Sequence, residues 1–481
     1  MNAPLRRVAI SVLVLFTLLI VNVNYIQVVR SEELRNDPAN TRVLAAEYDR
    51  ERGAIVVAGN AIAESVPSEG RLKYLRQYPQ GELYAAVTGY HSLIYNNSQL
   101  ERAENDVLSG TDGRLALRRL ADLFTGRDPA GGDVTLTLNP AVQEAAMAGL
   151  EGVTGAVVAL DPSTGAILGM ASTPSYDPGQ LSTHDPAAIR EYWKKLNAED
   201  RDPRLNRAIG DNYPPGSLFK VIVAAAALED GLTPETVVAA PTELPLPNSS
   251  RVIPNYNGSS CSSTGQQPLI DALTISCNTA FAQLGMDLGE DRVREMAEAF
   301  GMNGETFDIP LRVQPSQIGD VADAAALAQT SIGQRDVRMT PLQAAMIAAT
   351  VANGGTQMKP YLVEQVQAPD LTVIDSTQPE KWRQPISKEV AGQLTEMMTS
   401  VVDNGSGRAA QIPGVEVAGK TGTAQVSENV PDHTWFMGFA PAGDPKIAVA
   451  VFVANGGGTG GERSAPIARQ VMQAYLDGLG D

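Results

Sequence analysis

From Val8 to Val29 the chain runs 22 positions without a charge, between Arg6 and Arg7 on one side and Arg30, Glu32 and Glu33 on the other. A helix rises about 1.5 Å per residue, so this stretch can cross a hydrocarbon layer of roughly 30 Å. Asn22, Asn24 and Gln27 make its far end polar, as in a cleaved signal peptide, but no A-x-A-like site follows. The expectation is an uncleaved, single-pass anchor. Its leading arginines put the N-terminus in the cytoplasm and everything after Arg30 outside the cell membrane. The remaining sequence offers no second span.

Beyond the anchor the pattern changes twice. Residues 31–140 are polar and turn-rich, with short apolar pieces at 54–58 and 83–87. They predict an extended, largely exposed, strand-containing stem suited to docking or dimerisation. Residues 141–481 alternate between helical and strand periods. Runs at 155–160 and 166–171 flank Asp161-Pro-Ser-Thr-Gly165 and predict a hairpin. Residues 175–211 read as polar loop. From Leu218 to Leu228 every position except Lys220 is apolar, which predicts a buried helix. A turn-rich insert (241–267) and a mostly helical half (to about 353) follow. After a variable piece at 369–384 come a helix (388–402), three strands (417–426, 434–439, 446–453) and a closing helix (465–479). Strands at both ends with helices between predict an α+β fold: an antiparallel sheet flanked by helices, with an inserted helical subdomain.

Composition narrows the classes. The 481 residues have room for two or three domains, and a net charge of −18 without a basic run argues against nucleic acid as a partner. The two cysteines, Cys261 and Cys277, lie 16 positions apart. Outside the membrane they suit a disulfide, whose loop closure would contribute about 3 kcal/mol; two partly buried free thiols are the alternative. His91, His184 and His433 are too scattered for a zinc site or a Ser-His-Asp triad, and no metal or cofactor is expected. The glycine-rich 455–461 lacks the Gly-Lys-Ser/Thr of a phosphate loop and reads as a flexible connection.

Candidate chemistry begins at Ser217 and Lys220. Three positions apart at a helix start, they share a face. A lysine in the first turn of a buried helix is costly unless it has a task; alone, the pair reads more readily as a cap and a snorkelling side chain. Two further elements alter that balance. Ser276-Cys277-Asn278 opens a helical run, and Lys420-Thr421-Gly422-Thr423 heads a strand.

With S-x-x-K, S-x-N and K-T-G in this order, the chain resembles the penicillin-binding protein and serine β-lactamase superfamily. Cys277 stands where the usual motif has aspartate. Arg52-Gly-Ala-Ile55, Ser331-Ile-Gly-Gln334, Thr340-Pro-Leu-Gln343, Ala352-Asn-Gly-Gly355 and the approach from Gly405 to Gln425 resemble class B penicillin-binding proteins, closest to an actinobacterial A group. The resemblance implies a monofunctional D,D-transpeptidase that cross-links peptidoglycan stem peptides in division or cell shape and is acylated by β-lactams. Other division or elongation membrane proteins are candidate partners. It also implies roles: Ser217 as nucleophile, Lys220 as base, Ser276 as proton carrier to the leaving amine with both lysines, and Asn278 as holder of Lys220 and substrate. Thr421 and Thr423 would bind the terminal carboxylate, while Gly422 would leave space for the substrate along the strand.

Two other classes use related features. A tethered β-lactamase needs a deacylating glutamate, and no Glu-x-x-Leu-Asn-like stretch lies between Asn278 and Lys420. A penicillin sensor needs a cytoplasmic signalling portion, and only seven residues precede the span. A scaffold role for the stem is compatible with catalysis.

Overall fold

The computed structural model describes residues 2–30, 47–70, 72–115, 130–304, 306–427 and 429–479. Helix α1 (Asn2–Asn24) passes into a π-turn at Tyr25–Val29. Together they give the one helix among the described residues long and apolar enough to span a membrane, and its side chains are exposed on all sides. Stem residues 31–46 and 116–129 lie outside the described residues.

The stem is packed rather than extended. Strands β1 (Ile55–Val57), β2 (Asn60–Pro67), β3 (Tyr74–Gln77) and β4 (Asp133–Leu136) join one sheet, in which β1 pairs parallel to β4. Beneath them Arg52 and Arg76 each place Nε 2.6 Å from a different oxygen of the fully buried Glu101, which also accepts from the Tyr78 hydroxyl at 3.0 Å. Burial alone would raise the pKa of Glu101, but the two guanidinium groups outweigh it and hold the carboxylate at about 2. The expected exposed stalk is therefore corrected. Its polar sequence includes an internal ion cluster that a hydropathy pattern reads as surface.

Helix α2 (Pro140–Gly149) leads into β5 (Gly155–Leu160) and β6 (Ile167–Thr173), the expected hairpin. The segment read as loop contains helix α3 (Pro186–Leu196), capped by Asp185 and followed by the apolar helix α4 (Lys220–Glu229). Next come α5 (Asn278–Leu288) and α6 (Pro341–Ala352). Strands β7 (Val363–Gln367) and β8 (Val373–Ser376) return to the stem and complete its six-stranded sheet, order β8-β7-β4-β1-β2-β3. Of the piece read as variable (369–384), β8 extends this sheet, while β7, just before it, makes the pairing to β4 that ties the two parts of the molecule together.

Helix α7 (Lys388–Asp403) precedes β9 (Ala418–Ala424), β10 (His433–Ala440) and β11 (Ile447–Val453). With the first hairpin they form an antiparallel five-stranded sheet, order β9-β10-β11-β5-β6. Every residue of β11 is buried, as its apolar run requires. One face carries Trp435, Met437 and Phe452 toward α4 and α6; the other carries Phe436, Val449 and Val451 toward α2 and α8 (Gly460–Asp477). Helix α8 starts five residues before its apolar stripe, because Thr459 and Glu462 close a capping box there. Strand β9 is left at the sheet edge.

Candidate active site

Ser217 lies in a 3-10 turn, Gly216–Phe219, that runs directly into α4. Residues i and i+3 eclipse in such a turn, so Ser217 and Lys220 are aligned more closely than α-helical spacing would give. Gly216 has φ +53°, and a side chain there would strike the backbone of Thr423. Its N–H donates to Gly333 O at 3.0 Å. Trp435 Nε1 donates to Pro214 O at 2.9 Å, which fixes the approach. Ser217 is half-buried, while Lys220 behind it has no exposed surface.

Ser276 follows the short helix Leu269–Thr274 in the left-handed region, φ +61°, a conformation costing an L-residue roughly 1–2 kcal/mol. This turns both its carbonyl and its hydroxyl toward the lysines. Lys220 Nζ donates to Ser276 O at 2.7 Å and to Asn278 Oδ1 at 2.8 Å, and lies 3.3 Å from Ser276 Oγ. Lys420 Nζ reaches the same hydroxyl at 2.8 Å, with its own strand's Thr421 O at 3.0 Å.

Burial drives Lys220 well below the usual lysine range, and the neighbouring Lys420 charge adds to the effect. Lys420, also buried, is lowered to about 7. A neutral Lys220 has two hydrogens and one lone pair. Carbonyl oxygens only accept, so Ser276 O and Asn278 Oδ1 take both hydrogens and leave the lone pair for a hydroxyl. The arrangement can strip a proton from a serine.

On β9, Lys420 and Gly422 face the α4 side of the sheet, and Thr421 and Thr423 the opposite side. Thr421 Oγ1 lies 2.6 Å from Ser406 Oγ, and Thr423 Oγ1 accepts from Gly460 N at 3.3 Å, at the N-terminus of α8. Gly422 also has a packing reason to lack a side chain. A Cβ there would meet Pro215 O at 2.7 Å and Trp435 Cβ at 2.9 Å, so the vacant space receives the serine's own segment. Cys261 and Cys277 are disulfide-bonded, which ties the insert to the middle of S-x-N.

Sequence reasoning missed several contributors. Ser331 packs on Gly285 of α5 and Gly333 on Gly216, so the Ser331-Ile-Gly-Gln334 segment braces two motifs at once. Ser406 lay in the segment matched as the approach to Lys-Thr-Gly, and Gly460 in the glycine-rich 455–461, but neither had been given a role. Asn255, within the insert, had no signal.

A half-exposed serine, a buried lysine of depressed pKa on its face and a second lysine sharing a hydroxyl, at the edge of an antiparallel sheet, define the penicillin-recognising class of serine acyltransferases. Residues 155–473 match the penicillin binding protein transpeptidase domain, and 52–134 the penicillin binding protein A dimerisation domain. The chain belongs to the penicillin-binding protein transpeptidase family. The peptidoglycan D,D-transpeptidase PbpA of Mycolicibacterium smegmatis is 49% identical over 99% of this chain and 99% of its own. That of Mycobacterium tuberculosis is 48% identical over 99% of this chain and 100% of its own. The ceftriaxone acyl-enzyme complex of penicillin-binding protein A from M. tuberculosis matches with a TM-score of 0.87 and 46% identity, over 90% of this chain and 100% of that one.

Proposed function

We propose that this chain is a serine D,D-transpeptidase that cross-links peptidoglycan stem peptides through an acyl-Ser217 intermediate and is trapped by β-lactams. The convergence of Lys220 and Lys420 on Ser276 Oγ carries the reading. Lys220 takes the Ser217 proton as Oγ attacks the carbonyl carbon between the terminal D-Ala residues. The backbone N–H groups of Ser217 and Thr423 face the developing oxyanion, a device whose loss can cost about 2.7–4 kcal/mol. Ser276 relays the proton from Lys220 to the departing D-Ala amine, and the amide bond breaks. An amine of a second stem peptide then attacks the ester and gives its proton to Lys220. Ser217 leaves with a hydrogen restored.

The unpaired edge of β9 suits a substrate lying as an added strand, with Gly422 contributing backbone. Thr421 and Thr423 hold the terminal carboxylate, helped by the positive end of α8. Helix α1 anchors the chain, and Arg6 and Arg7 near its start set the catalytic part on the extracytoplasmic side. Residues 31–140 form the stem, 141–481 the transpeptidase domain; the partly exposed strands β2 and β8 of the stem sheet suit other division or elongation membrane proteins.

Mass spectrometry after benzylpenicillin should place one adduct on Ser217, released slowly. Covalent uptake of a fluorescent penicillin by Ser217→Ala would refute the nucleophile, and rapid nitrocefin turnover by the unaltered protein would point to a β-lactamase.

A further inference from the structure

Helix α5 carries Asn278, yet its N-cap, Cys277, supplies no side-chain acceptor to the first turn. The opening N–H groups of a helix need partners. Here they come from 23 positions upstream: Asn255 Oδ1 accepts from the N–H of Asn278 and of Thr279, both at 3.0 Å. Asn255 is 5% exposed, and its Nδ2 donates to Thr242 O at 3.2 Å and Pro241 O at 3.4 Å. That fixes which way the amide points, since a flip would set donors against donors and acceptor against acceptors.

The neighbouring residue completes the grip. Pro254 O accepts from Asn278 Nδ2 at 3.1 Å, which turns Asn278 Oδ1 toward Lys220 Nζ at 2.8 Å. Asn278 is thus held by its backbone through Asn255 and by its side chain through Pro254. The orientation of the Lys220 lone pair depends on the same contact, because Asn278 Oδ1 takes one of the two amine hydrogens. If Asn278 shifts, that hydrogen is free to turn toward Ser217 in place of the lone pair.

We propose that Asn255 is a positioning residue for acyl transfer: it caps α5 from outside and, with the Pro254 carbonyl, keeps Asn278 on Lys220. The inference rests on the roles given above to Ser217 and Lys220. It also gives the turn-rich insert, 241–267, a function as the outer brace of the S-x-N motif.

The test uses the full chain in detergent and the second-order rate of labelling by a fluorescent penicillin, normalised to the label bound at saturation so that only folded protein counts. Asn255→Leu keeps volume and loses the acceptor; it should label roughly tenfold or more slowly, as small misplacements near reacting groups do. Asn255→Asp keeps the cap acceptor but loses the donor and sets its second oxygen against Thr242 O and Pro241 O, so it should label more slowly than the unaltered protein yet clearly faster than the Leu variant. Should Asn255→Leu fail to fold, Asn255→Ala makes the same comparison. Normalised labelling at the unaltered rate in the Leu or Ala variant would overturn the proposal, and so would equal slowing in the Asp variant. Absence of labelling in the unaltered protein would instead remove the Ser217 assignment beneath it.

Discussion

Lys420 Nζ donates to Ser276 Oγ at 2.8 Å, inside a site where Lys220 Nζ lies 3.3 Å from the same oxygen. Neither amine has exposed surface. Two like charges sharing one hydroxyl in a buried setting repel strongly, which favours the neutral form of a lysine there. Lys220 feels both burial and the charge of Lys420, and its pKa is pushed well below the usual lysine range.

Removing Lys420 therefore moves the pH dependence of acylation in a defined direction. The active form has neutral Lys220, so the rate rises with pH through the Lys220 pKa. Lys420→Ala deletes a positive neighbour, the Lys220 pKa rises, and the acidic limb of the labelling rate should move to higher pH while the maximum falls. A limb that stays in place or moves to lower pH would contradict the coupling.

Gly422→Ala should act on the nucleophile rather than on the fold as a whole. The new Cβ meets Pro215 O at 2.7 Å and Leu218 Cγ at 3.1 Å, and backbone in the serine segment must yield. Overpacking of this kind costs about 1–3 kcal/mol. We expect a cooperative unfolding transition at lower temperature, together with labelling slowed roughly a hundredfold by displacement of Ser217. Labelling at the unaltered rate would show that the site does not need the close approach.

The Cys261–Cys277 bond should leave no thiol to titrate in denatured, unreduced protein. Replacing both cysteines by alanine should lower stability by about 3 kcal/mol, as expected for a loop of this length. Two titratable thiols would remove the bond.

Glu101→Gln should be the more damaging change, although it lies in the stem. It leaves Arg52 and Arg76 buried without their counter-charge, a loss of about 3–5 kcal/mol, readable by denaturant unfolding. The sign of the pH effect follows from a folded pKa depressed to about 2. The carboxylate's contribution is complete above the ordinary glutamate value and disappears as pH falls toward 2. Stability insensitive to pH across that acidic window would argue against an ionised Glu101.

Local sequence determined a good deal. An uncharged run of 22 positions specifies a helix long and apolar enough to span a membrane, the apolar surround of Lys220 specifies a buried helix, and the all-apolar β11 specifies a strand covered on both faces. Three motifs in order specified the chemistry, because each places its polar groups at one end of a regular element. Other features depend on contacts between residues far apart along the chain. The stem cluster joins Arg52, Arg76 and Glu101, and the stem sheet borrows β7 and β8 from more than 200 positions downstream of β4. Gly422 makes room for Pro215, and Asn255 caps a helix begun 23 residues later. Periodicity reports how each residue divides between water and interior, and it does so one element at a time. Which buried polar group meets which partner is settled only when the elements pack, and here that packing holds the Lys220 amine on Ser276 O and Asn278 Oδ1.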